Sequence, residues 1–107
     1  MADDDLRILF ATASPDDAPG LVSALVSEHL VACGNILPGA RSIYRWQGEV
    51  CDDEEAVLLM ETTADRLPAA MARLAELHPY DVPKIIALHP TDVLPSYLAW
   101  ARDMTRP

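Results

Sequence analysis

The heptapeptide His78-Pro79-Tyr80-Asp81-Val82-Pro83-Lys84 concentrates more reactive chemistry than any other part of the chain. An imidazole, a phenol, a carboxylate and an ammonium sit close together on a backbone stiffened by two prolines. His78 offers a nitrogen to a divalent ion such as Cu²⁺ or Zn²⁺, with Asp81 the nearby carboxylate. The same residues also have a structural reading. A histidine at a helix end can bond the last carbonyls and favour the negative end of the dipole. An aspartate between prolines forms turns.

Other candidate groups lie upstream. Tyr44 and Trp46 alternate with Arg45, so on a strand they share one face. With Tyr80, Asp81 and His78 they make a reasonable lining for a ligand cleft, or they anchor a neighbouring subunit. The acidic run Asp52 to Glu55 lacks the loop of a dedicated Ca²⁺ site and reads as a solvated strand edge. The two cysteines, Cys33 and Cys51, show no metal-site spacing. Cys33 reads as inert core and Cys51, beside two aspartates, as an unreactive thiol. No hydrolase, zinc-protease, P-loop or dinucleotide fingerprint occurs, so an enzyme is not expected.

Composition narrows the partners. The chain has 107 residues, half of them apolar, with a net charge of -9. One domain over residues 1–107 is the natural reading. A surface this acidic repels phosphate backbones and anionic bilayers, so neither nucleic acid nor membrane is an expected partner. The longest apolar run, Ala56 to Met60, is far too short to span a bilayer. The opening segment carries acids where a secretory signal needs bases, which predicts a cytoplasmic protein.

The elements that must position these groups follow from periodicity. Residues 6–12 predict a strand. A helix follows Asp17, a candidate N-cap, with Leu21, Val22, Leu25, Val26 and Leu30 as its stripe. From Cys33 the pattern becomes β, broken at Pro38-Gly39 by a bulge or bend, and turns at Gln47-Gly48. Regular pairing about that turn sets Tyr44 opposite Cys51 and Cys33 opposite Thr62. Residues 65–77 predict a second helix, capped by Thr63 or Asp65 and buried through Leu67, Met71, Leu74 and Leu77. Lys84 to His89 reads as a strand, and Pro95 opens a short helix with Tyr97, Trp100, Ala101 and Met104 on one side. The order βαββαβ predicts an α+β ferredoxin-like sandwich with a long hairpin arm and a short C-terminal helix. Two helices cover one sheet face, and the other face, still apolar, calls for an oligomer.

ACGNILPG, SIYRWQGE, HPYDVPKIIAL and YLAW, in this order and spacing, resemble the CutA1 family of divalent-cation tolerance proteins over roughly residues 6–103. The resemblance implies a homotrimer, similar to the PII signalling proteins, whose arms embrace neighbouring subunits. It further implies a role in divalent metal ion tolerance, with copper binding attributed in bacterial members to a strand-end cysteine and a His-His pair. The matching positions here are Ala11, Leu77 and His78, so only the second histidine is present. Two more positions reverse the family's charges: Glu61 stands for a lysine and Lys84 for a glutamate. That double reversal predicts an ion pair between them, within or between subunits. The expected function is thus a homotrimeric divalent-ion response protein, with no required cofactor and with Cu or Zn on His78 as the candidate ion. The alternative is a PII-like or scaffolding trimer that binds a small ligand or protein partner between subunits.

Overall fold

The computed structural model describes residues 5–107; the acidic opening of residues 1–4 lies outside the described residues. Elements run in the expected order: β1 (Leu6–Ala13), α1 (Ala18–Ser27), β2 (Cys33–Trp46), β3 (Glu49–Thr63), α2 (Leu67–Leu77), β4 (Ile85–Leu88) and α3 (Pro95–Met104). The four strands form one antiparallel sheet in the order β2-β3-β1-β4. This is the ferredoxin-like arrangement, with α1 and α2 each connecting strands that are not neighbours and α3 following the last strand.

Strand alternation divides the sheet into two unlike faces. Leu9, Ala11 and Ala13 of β1 pair with Met60, Leu58 and Ala56 of β3, and all six are sealed beneath α1 and α2. From α1 the core receives Ala18, Leu21, Val22 and Leu25; from α2, Ala70 and Leu74. Val26, expected in that stripe, is exposed, because α1 ends at Ser27 and Leu30 reaches the core from the loop. The opposite face carries Ile8, Phe10, Val57, Leu59, Ile86 and Leu88, none of them fully buried. At one end α3 covers it, where Leu6, Ala32 and Ala101 pack with Val93 and Leu98.

The arm is the part of the β2–β3 ribbon that outruns β1. Pairing with β1 ends at Ala56, while β3 continues to Glu49 opposite Trp46. Those seven residues extend roughly 23 Å at the usual strand rise. Gln47 and Gly48 both have positive φ, 50° and 83°, as a two-residue hairpin turn with matching twist requires. Tyr44 faces Cys51 as the turn predicts, but Cys33 faces Glu61 rather than Thr62. The bulge at Pro38-Gly39 inserts one extra residue in β2 and shifts everything beyond it. Gly39 takes φ +80°, which its missing side chain makes cheap.

Local capping also departs from expectation. Asp17 does occupy the N-cap of α1, yet its carboxylate accepts from the Ser14 hydroxyl at 2.8 Å instead of capping amides. For α2 the cap position is Arg66; the Thr63 hydroxyl donates to Asp65 at 2.6 Å and holds that carboxyl below its ordinary range. In both helices a proline in the first turn removes an amide that would need capping.

A cleft between the arm and the helix-to-strand connector

Pro79 stops α2, and His78 leaves it in extended conformation at φ -70°, ψ 132°. The imidazole folds under β1 rather than back onto its helix. Its Nε2 lies 2.9 Å from the Thr12 carbonyl oxygen, and the Tyr80 backbone N–H donates to Nδ1 at 3.3 Å. An amide can only donate and a carbonyl can only accept, so the ring is the neutral tautomer with its proton on Nε2. Both nitrogens are used, and the side chain is 6% exposed. The expected bonds to helix carbonyls are replaced by this bridge between connector and β1.

Tyr80 packs on the same ring at 4.6 Å between centroids, and its hydroxyl donates to Glu55 Oε2 at 2.7 Å. Partial burial and the Glu55 carboxylate push the Tyr80 phenol up to about 12. Glu55 is 5% exposed and stands on β3 opposite Ala40, at the root of the arm. The connector is therefore tied to the arm through two rings and a buried carboxylate. Sequence reading missed Glu55 by treating the acidic run as one solvated edge. Strand parity was the available signal, since Glu55 falls in phase with Val57 and Leu59. Two more acids of the run are engaged: Asp52 pairs with Arg41, and Asp53 accepts from Tyr44 and raises its pKa.

Between arm and connector lies a cavity of about 780 Å³, and Tyr44, Trp46, Tyr80 and Asp81 all line it. Arg41, Arg45, Glu55 and Lys84 are its other charged lining residues. His78 is beneath this surface, screened by Tyr80, and does not line it.

The expected Glu61–Lys84 pair is not formed within the chain. Glu61 aligns through Ile8 with Leu88, whereas Lys84 precedes Ile85, which aligns with Ala11. The two lie on opposite flanks of β1, separated by four positions along the strands. Glu61 instead accepts the Tyr97 hydroxyl at 2.8 Å, and Lys84 Nζ stands 5.0 Å from the Phe10 ring centre. Burial and the Glu61 charge together raise the Tyr97 pKa. Cys33, expected in the sealed core, pairs with Glu61 on the open face and is half-buried.

A copper or zinc ion does not fit these residues within one chain. His78 has no lone pair to give unless a hydrogen bond breaks, and Ala11 and Leu77 supply no donor at the two matching positions. Among the described residues no group of three His, Cys, Asp or Glu side chains is placed to hold a metal. Nor is any described helix long and apolar enough to cross a membrane.

A ferredoxin-like sheet with one helix-covered face, an overlong hairpin and a cleft at its base defines a PII-like α+β protein. The model of the CutA1 divalent ion tolerance protein family matches residues 6–104, and the chain belongs to that family. It is 46% identical over 98 residues to a divalent-cation tolerance protein CutA of Thermus thermophilus, covering 92% of this chain and 95% of that one. With the chloroplastic protein CutA of Arabidopsis thaliana it shares 40% identity over 86 residues, covering 80% of this chain and 47% of that one. Among solved structures, the apo form of the PII-like protein CutA from Nostoc sp. superposes with a TM-score of 0.89 at 31% identity, covering 94% of this chain and 97% of that one.

Proposed function

We propose that this chain acts in the divalent-cation response as a homotrimer that holds a small ligand in clefts between subunits, and that it does so by binding rather than catalysis. The observation that carries the reading is the open sheet face. Ile86 and Leu88 are more than two-fifths exposed there, and the arm adds Ile43 and Val50 at 66% and 68%. Exposed aliphatics over a sheet face and a protruding ribbon are what a chain keeps when copies of itself cover them. An isolated two-stranded ribbon is marginal in water, so the arm gains most from lying on a neighbour. A neighbouring copy there also closes the open side of the cavity at the arm's root, which makes the cleft intersubunit.

Chelation by His78 is the weaker reading, because its ring is already spent on Thr12 and Tyr80. Light scattering on the wild type and on Ile86→Asp tests the assembly. A trimer mass in the first and a smaller species with intact circular dichroism in the second supports it. A monomeric wild type refutes it.

A further inference from the structure

The arm meets the rest of the sheet at an interrupted joint. Leu37 pairs with Val57 and Ala40 with Glu55, and the Pro38-Gly39 bulge stands between those two pairs. The third strand stops at the same level: Ala13 of β1 pairs with Ala56, and β1 ends there. Outward from Ala40 and Glu55 the ribbon has two strands, an arrangement that is marginal by itself. Its side-chain bonds from Arg41 to Asp52 and from Tyr44 to Asp53 tie those strands only to each other.

One line of contacts crosses the joint. It begins on β1, where the Thr12 carbonyl oxygen accepts from His78 Nε2, and passes through the packed rings of His78 and Tyr80. It ends where the Tyr80 hydroxyl donates to Glu55. Among the described residues this is the only side-chain hydrogen bond from residues 40–55 to the rest of the chain. The acceptor is a carboxylate only 5% exposed, so the bond is charge-assisted and shielded from water. Its place at the root gives it leverage. Over roughly 23 Å of arm, a turn of about 10° at the root moves the tip by about 4 Å, enough to break side-chain contacts there. We infer that Glu55, Tyr80 and His78 form a brace that sets the angle of the arm, and so position Ile43 and Val50 for contact with a second copy of this chain. This rests on the assembly reading above and names the residues that aim the arm.

The test is subunit exchange: isotopically heavy and light proteins are mixed, and mixed-mass oligomers are followed in time by native mass spectrometry. Tyr80→Phe removes the donor and Glu55→Leu the acceptor. Each should exchange about tenfold faster than the wild type, as loss of a bond to a buried carboxylate implies. The double variant should show that same factor and not its square, because either change alone breaks the one bond. Glu55→Gln keeps an oxygen that accepts from the phenol and should exchange within about twofold of the wild type. Leu58→Ala, a lesion of the sealed core, controls for lost stability and should exchange like the wild type. Tyr80→Phe exchanging no faster than Leu58→Ala, or factors that multiply in the double variant, overturns the inference. The unmixed wild-type spectrum reads the assembly separately. A monomer there refutes the assembly reading and the brace's role in it, whereas a trimer indifferent to Tyr80→Phe ends this inference alone.

Discussion

Leu9 and Ile8 are adjacent in β1, as Met60 and Leu59 are in β3, yet the first of each pair is sealed and the second is not. The helix-covered face closes on itself: every apolar group contributed by β1 and β3 finds α1 or α2 above it. The open face is equally apolar but has only α3 at one end. Reactive groups follow the same division. Glu55, Glu61, Cys33 and the Tyr80 hydroxyl all lie on the side the chain leaves uncovered. One face makes the fold, and the other is left largely uncovered by the chain itself.

Substitutions on the closed face should cost stability and leave assembly alone. Leu58, fully buried beside Ala11 and Ile36, is the sharpest case. Leu58→Ala should lower unfolding free energy by about 2–5 kcal/mol in a denaturant titration, with the light-scattering mass unchanged. His78 is next, because it bridges the faces' supporting elements. His78→Ala orphans the Thr12 carbonyl and the Tyr80 amide, and should cost about 1–3 kcal/mol in the same assay.

Tyr80→Phe should cost about 1.5–3 kcal/mol by removing the donor from the buried Glu55 carboxylate. The pH dependence has a definite sign. The folded phenol, near 12, is raised above its unfolded value, so its contribution is complete below about pH 10 and is lost as pH rises toward 12. Wild-type stability should therefore fall across that alkaline window more steeply than that of Tyr80→Phe. All three tyrosines are shifted upward, so tyrosinate absorbance of the folded protein should rise later than that of the unfolded chain.

The smallest effect concerns Glu61 and Lys84. With Glu61 taken by Tyr97 and Lys84 seated by the Phe10 ring, a double-mutant cycle of Glu61→Lys and Lys84→Glu should be additive within about 0.5 kcal/mol in thermal unfolding. Strong coupling would instead place the two charges together across a subunit boundary and remove Lys84 from the cleft.

Much of this organisation was legible in the residues. Helical spacing in Leu21-Val22-Leu25, the turn at Gln47-Gly48 and the stop at Pro79 are local signals, and they located the elements to within a few positions. The pairing of Tyr44 with Cys51 follows from the turn alone. Beyond Pro38-Gly39 that reasoning failed, since a break shows in the sequence while the residue count it adds to one strand does not. The cleft was half readable. Tyr44, Trp46, Tyr80 and Asp81 do come together, but His78 was misplaced and Glu55 overlooked. Those two depend on contacts across 66 and 25 residues, His78 with Thr12 and Tyr80 with Glu55, which no local pattern encodes.

The central claim is that the cleft between arm and connector, not the histidine beneath it, is the binding element. Calorimetric titration of Cu²⁺ into tag-free wild type and His78→Ala at neutral pH addresses it most directly. The geometry predicts that the two proteins give the same isotherm, since the imidazole offers no free nitrogen. A micromolar or tighter site in the wild type that vanishes in a folded, trimeric His78→Ala would contradict the account and make His78 a metal ligand after all.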